Sequence, residues 1–219
     1  MVQSRFLPDA VLWEVDVQAD FMLPGGKLYV PGAEKIIATL QKLVTTGHQA
    51  GALLISSADA HNPDDPELKK WPPHCMKGSP GAELVPEGRL SKTLVVPNDK
   101  TFQPPADLHA YDQIIIQKNE LDVFSNPHTN ALLALLKRSR VRDDAEFIVF
   151  GVVTEYCVQF AAEGLLQRGK RVAVVTDAIK EIDVTQGECS LSDFQAQGAR
   201  LTTSAEVIKS LAAQSRRSA

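Results

Sequence analysis

The stretch Ala10-Val11-Leu12-Trp13-Glu14-Val15-Asp16-Val17 decides the fold. It is a short, almost continuously apolar run of strand length. A strand with one face in water alternates apolar and polar residues, whereas a run like this one is covered on both faces. Downstream, Pro31, Gly32 and Ala33 open a segment with apolar residues at Ile36, Ile37, Leu40 and Leu43. That is a helical repeat, and Gly47 is expected to end it. Further apolar strands are predicted over 51–57, 114–116, 147–150 and 171–176, with helices near 130–137, 156–168 and 185–197. A short strand at 200–202 and a last helix from Ala205 complete the series. Buried strands alternating with helices indicate an α/β fold, a doubly wound, mostly parallel sheet flanked by helices on both faces. The rhythm breaks over about 75–111, which is rich in Pro, Gly and Asp and holds one extra strand at 92–96. Irregular stretches of that length are usually functional or part of an interface.

The bulk composition narrows the classes. The chain has 219 residues, 44% hydrophobic and 23% charged, ordinary for a single globular domain spanning 1–219. A net charge of −4 provides no basic field for nucleic acid. Three widely spaced cysteines, Cys75, Cys157 and Cys189, argue against a disulfide framework and for a reducing compartment. Glu14 and Asp16 interrupt the first apolar run far short of the roughly 20 residues a membrane span needs. The expectation is a cytoplasmic protein with no membrane and no nucleic-acid partner.

In open α/β sheets, ligands bind at the carboxyl ends of the strands, and that is where the reactive side chains fall. Asp16 ends the first strand, and burial would raise its pKa toward that of a general base; a turn cap is the plainer alternative. Lys118 follows Ile116 and is either a partner for Asp16 or a solvated lysine at a strand end. Cys157 follows a Gly-containing turn and opens a helix, where the dipole favours a thiolate and free N–H groups can hold an oxyanion. A buried structural cysteine is the alternative. Asp59, His61, Glu67 and His74 form a mixed N/O donor set that suits zinc, iron(II) or manganese. Pro72-Pro73 fixes the backbone before His74. An acidic surface loop with incidental histidines is the competing reading.

Taken together and in order, these residues resemble the cysteine-hydrolase superfamily that includes isochorismatases and nicotinamidases. The resemblance rests on Val15 to Phe21, Gly25-Gly26 and Val30 to Ala33, on Lys118, and on Gly151 to Cys157. It covers nearly the whole chain. Asp59-x-His61 and Trp71-Pro72-Pro73-His74-Cys75-x-x-Gly78-x-x-Gly81 are similar to nicotinamidases in particular.

The resemblance implies an isochorismatase-like fold and an Asp16–Lys118–Cys157 triad. It also implies a cis peptide at Val152–Val153 and an oxyanion hole from the Val153 and Cys157 N–H groups. Phe21, Trp71 and Tyr156 would contact the substrate ring. One divalent ion, zinc before iron or manganese, would be held by Asp59, His61, Glu67 and His74. The implied reaction is hydrolysis of nicotinamide to nicotinate and ammonia through a cysteine thioester, with pyrazinamide as a second substrate. Self-association of the chain is implied as well. The metal would grip the ring nitrogen rather than generate hydroxide. Alternatives are an amidase of the same superfamily acting on biuret, N-carbamoyl or ureido substrates, or a catalytically inactive binding protein on this fold. The sequence departs from the nicotinamidase pattern in four places. Glu67 stands for a third histidine, with Asp65 as its competitor. Ala60 replaces an aromatic residue expected at the pocket rim. Glu155 replaces Asp, and Asn119 replaces the glycine that usually follows the lysine.

Overall fold

The computed structural model of the protein describes residues 9–218, and the side chains of all of these except 138, 139 and 215–218. Seven parallel strands form one sheet in the order β3-β4-β2-β1-β5-β6-β7. They are β1 (Ala10–Val15), β2 (Leu53–Asp59), β3 (Thr93–Val96), β4 (Gln113–Lys118), β5 (Glu146–Val152), β6 (Arg171–Lys180) and β7 (Arg200–Thr202). The helices are α1 (Ala19–Met22), α2 (Ile37–Gln49), α3 (Thr129–Ser139), α4 (Gln159–Gln167), α5 (Val184–Ala196) and α6 (Ser204–Ser218). Among the described residues no helix is long and apolar enough to cross a membrane.

The first strand accounts for the layering. All six residues of β1 are buried, and successive side chains point to opposite faces. Val11, Trp13 and Val15 pack with Leu132 and Leu136 of α3, Ala161 and Leu165 of α4, and Phe194 of α5. Leu12, on the other face, packs with Leu40 and Leu43 of α2 and Leu211 of α6. Trp13 anchors the first layer, with ring centroids 6.1 Å from Phe124 and 6.0 Å from Phe147. Truncating such a residue to Ala costs about 3–5 kcal/mol. This is the three-layer α/β architecture expected from the apolar runs.

The boundaries differ in instructive ways. Gly47 does not end the second helix, which runs on to Gln49. A Cβ on Gly47 would lie 2.4 Å from Leu12 Cδ1, so this glycine lets helix and sheet approach rather than stopping the helix. Strand β2 reaches Asp59 and β6 reaches Lys180, beyond the apolar runs that announced them, because polar residues at strand ends still pair with their neighbours. The short helix α1 carries no apolar repeat and was not anticipated.

Candidate active site

The sheet register brings the reactive residues together. The four central strands, β4, β2, β1 and β5, end side by side. Asp59 is paired with Lys118 across β2 and β4, and Val15 with both Ser57 and Gly151. Asp16 follows β1 at φ +50°, a left-handed conformation that few non-glycine residues adopt. Its N–H donates to Ser57 O (3.2 Å), and Ser57 Oγ donates to its Oδ1 (2.6 Å). Gly151 has φ +120°, and a Cβ there would sit 2.1 Å from Val15 O. Only glycine permits the chain to pass so close to β1 on its way to Cys157. The Val152–Val153 peptide is cis, at the bond implied by the resemblance. One turn of π-helix, Thr154–Val158, then carries Cys157 into α4. Such π-turns are frequent at functional sites.

Lys118 is the hub of the buried charges. Its Nζ lies 2.9 Å from Asp16 Oδ2, 2.5 Å from Asp59 Oδ1 and 3.5 Å from Cys157 Sγ. All four side chains are buried. Burial alone would neutralise the lysine, but Asp16 and Asp59 hold its pKa well above the ordinary value. The two carboxylates respond differently. Burial raises Asp16, and Lys118 only partly opposes it. Burial also pushes Asp59 up, yet Lys118, His61 and His74 together bring it well below the carboxylate range. Burial pushes the Cys157 thiol well above its usual value, and Lys118 does not fully offset this. Burial thus disfavours a charge on Cys157, which lies beside Asp16 and Lys118.

The second cluster shares Asp59. One ligand atom from each of Asp59, His61, Glu67 and His74 lies within 4.8 Å of the others. His74 Nδ1 is 2.8 Å from Pro72 O, which makes it the protonated nitrogen and leaves the Nε2 lone pair facing Asp59 Oδ2 at 3.6 Å. Neither ring nitrogen of buried His61 has a hydrogen-bond partner. Orphaned imidazole nitrogens beside two carboxylates are what a divalent cation would satisfy, so the donor set fits a metal ion. Asp65 stands outside this group. Its Oδ2 accepts Asn62 N–H (2.8 Å) and faces His61 Nδ1 at 3.4 Å, while Asn119 Nδ2 donates to its Oδ1 (3.1 Å). Asp65 is thus tied to Asn62 and Asn119 behind His61, without a hydrogen bond to its ring.

Both clusters open into one small apolar cavity. Asp59, Glu67, His74, Val153 and Cys157 line it together with Phe21, Trp71 and Tyr156. The Trp71 and Tyr156 rings meet edge to face at 5.4 Å, and Phe21 meets His74 at 5.3 Å. Leu28, Leu121 and Ile182 complete the wall. They were not anticipated, since single apolar residues in loops carry no local signal. Glu155 explains how Ile182 is held: its Oε1 accepts the Ile182 and Asp183 N–H groups at 2.9 and 2.8 Å. Ala60 does not belong to this rim. It lines a separate cavity with Lys77, Arg89 and Val95, which Asp59 also borders.

Known proteins share this fold. The isochorismatase domain model matches residues 10–104 and 95–206. The nicotinamidase of Escherichia coli (strain K12) is 26% identical over 91% of this chain and 97% of its own length. A pyrazinamidase of Pyrococcus horikoshii, solved in complex with zinc, superposes with a TM-score of 0.70 at 27% identity, covering 90% of this chain and 99% of that one. An N-carbamoylsarcosine amidase from Thermoplasma acidophilum gives 0.69 at 25% identity, over 89% and 96% of the two chains. With the domain match running across the whole sheet, the chain belongs to the isochorismatase family.

Proposed function

We propose that this protein is a metal-containing nicotinamidase of the cytoplasm, hydrolysing nicotinamide to nicotinate and ammonia and accepting pyrazinamide as well. Such an activity would serve NAD salvage. The observation that carries the reading is the shared wall: Asp59, Glu67 and His74 line the same cavity as Cys157. The relatives named as nicotinamidase and pyrazinamidase support it. A divalent ion, zinc first, held by Asp59, His61, Glu67 and His74 would supply a Lewis-acidic anchor for a ring nitrogen.

The chain's own residues then carry the chemistry. Phe21, Trp71 and Tyr156 pack against the ring and exclude water. Asp16 accepts the Cys157 thiol proton, and Lys118 offsets the charge that remains beside it. Sulfur bonds to the carboxamide carbon, and the Val153 and Cys157 N–H groups receive the resulting oxyanion. The C–N bond breaks as Asp16 passes its proton to the leaving nitrogen, and ammonia departs. A water, deprotonated by Asp16, adds to the thioester. The C–S bond breaks, the acid leaves, and the proton on Asp16 returns to Cys157.

The N-carbamoylsarcosine amidase neighbour favours a second reading, an amidase for N-carbamoyl or ureido substrates on the same triad. Ammonia release across nicotinamide, pyrazinamide, biuret and N-carbamoyl amino acids separates the two. We expect turnover of both aromatic amides by the wild type and none by Cys157→Ala. Activity confined to the ureido compounds contradicts the nicotinamidase reading.

A further inference from the structure

We propose that Asp20 is the positioning residue of the candidate metal cluster, fixing the backbone that joins its two histidines. The proposal rests on the metal reading above. Asp20 sits in α1, is 7% exposed, and is spent on backbone N–H groups. Its Oδ2 accepts the Cys75 N–H at 2.7 Å and its Oδ1 the Lys27 N–H at 3.0 Å. A carboxylate oxygen at 2.7 Å from an amide is a charge-assisted hydrogen bond, about twice as strong as a neutral one.

The residue it grips is the joint of the cluster. Cys75 directly follows His74 and has φ +43°, a strained conformation for a non-glycine residue that persists only where its surroundings enforce it. The other side of Cys75 reaches the second histidine. The His61 N–H donates to Cys75 O at 3.1 Å, and the Lys77 N–H returns to His61 O at 2.9 Å. One buried carboxylate therefore fixes a backbone unit bonded to His74 on one side and His61 on the other.

Asp20 cannot swing away. A Cβ on Gly81 would fall 2.2 Å from its Oδ2, so the carboxylate lies flat against that glycine. Two residues earlier, Gln18 does the same service for Asp59. Its Oε1 accepts the Asp59 N–H and its Nε2 donates to Asp59 O, both at 2.7 Å. The segment from Gln18 to Asp20 thus presets three of the four ligand residues. Glu67 sits on the short turn Pro66–Lys69, where its carbonyl accepts the Lys70 and Trp71 N–H groups.

The test compares wild type and Asp20→Asn after metal removal, titrating cobalt(II) against a competing chelator. An asparagine can accept one of the two N–H groups but turns its own N–H₂ at the other. We expect the cobalt dissociation constant to rise about 10–100-fold, as for other residues that orient metal ligands, with a changed visible spectrum. The rate of Cys157 alkylation by iodoacetamide should stay within about twofold of wild type, since the triad is held by other contacts. Equal cobalt affinity and spectrum in both proteins overturns the proposal alone. So does alkylation that changes as steeply as metal affinity, which signals a general structural role. Wild type that binds no cobalt contradicts the metal reading and takes the proposal with it. Hydrogen exchange on the unmutated, metal-free protein is independent of the variant's folding. The Cys75 amide should exchange slowly, and rapid exchange there overturns the proposal.

Discussion

The candidate triad and the candidate metal cluster meet at Asp59, which touches Lys118 and belongs to the cluster, but they are built by different means. Asp16, Lys118 and Cys157 meet through side chains, with the lysine ammonium in contact with all three partners, Asp59 included. His61, His74 and Asp59 are placed through their backbones, by hydrogen bonds that involve Cys75, Gln18 and, behind Cys75, Asp20. The contrast follows from the chemistry. Proton transfer needs charges that face one another and shift each other's pKa. A ligand cage needs fixed directions, which a braced backbone supplies. If that division is right, the halves should be separable by mutation everywhere except at Asp59.

The largest separation is expected from Cys157→Ala. Amide hydrolysis should fall by at least about 10³-fold, with cobalt(II) uptake unchanged. Loss of metal binding in this variant would show that the halves are not distinct. Asp59→Asn should damage both. It removes one of the two carboxylates beside the buried Lys118, a change worth about 3 kcal/mol of stability, and a ligand from the cage. Denaturant unfolding and cobalt titration on the same sample read the two losses, and a variant defective in only one breaks the shared role of Asp59. His74→Ala should lower kcat/KM by about 10²-fold, chiefly through KM, and leave Cys157 alkylation at its wild-type rate. A collapse of alkylation there would tie the triad to the metal loop.

The smallest effect concerns a buried carboxylate that belongs to neither half. Glu14 accepts a 2.8 Å hydrogen bond from Ser56; burial pushes its pKa up to about 8, against the Ser56 hydrogen bond. The folded protein thus keeps a proton that the unfolded chain releases above its ordinary value of 4.5. Its contribution to stability is full below pH 4.5 and is lost as pH rises toward 8. Glu14→Gln carries no charge to bury. Relative to wild type it should gain on the order of 4 kcal/mol between pH 4 and pH 8.5, read as a difference in thermal midpoints. Parallel pH curves for the two proteins would contradict this.

The fold was legible because both-face burial leaves a strong mark, the nearly continuous apolar runs within β1, β2, β4, β5 and β6. Residues of catalytic type at the ends of those runs were legible for the same reason, since topology brings strand ends to one edge. What brings the metal loop to that edge was not. Gln18 and Asp20 act on backbone atoms 41 to 64 positions away, and a polar residue bonded to a distant main chain looks in sequence like any surface residue. Both lie in the stretch Val15 to Phe21 that carried the family resemblance, yet neither had an evident task. Gly47 differs for a related reason: local rules give a helix stop, while the contact that requires it, with Leu12, is tertiary.

The central claim is that the metal cluster and the triad act on opposite ends of one substrate. It is tested most directly by kcat/KM for nicotinamide and for benzamide, which lacks the ring nitrogen, before chelation, after it, and after zinc is restored. Chelation should lower kcat/KM for nicotinamide by about 10²-fold, zinc should restore it, and benzamide turnover should be poor throughout and indifferent to metal. Nicotinamide hydrolysis that survives complete metal removal would contradict the claim.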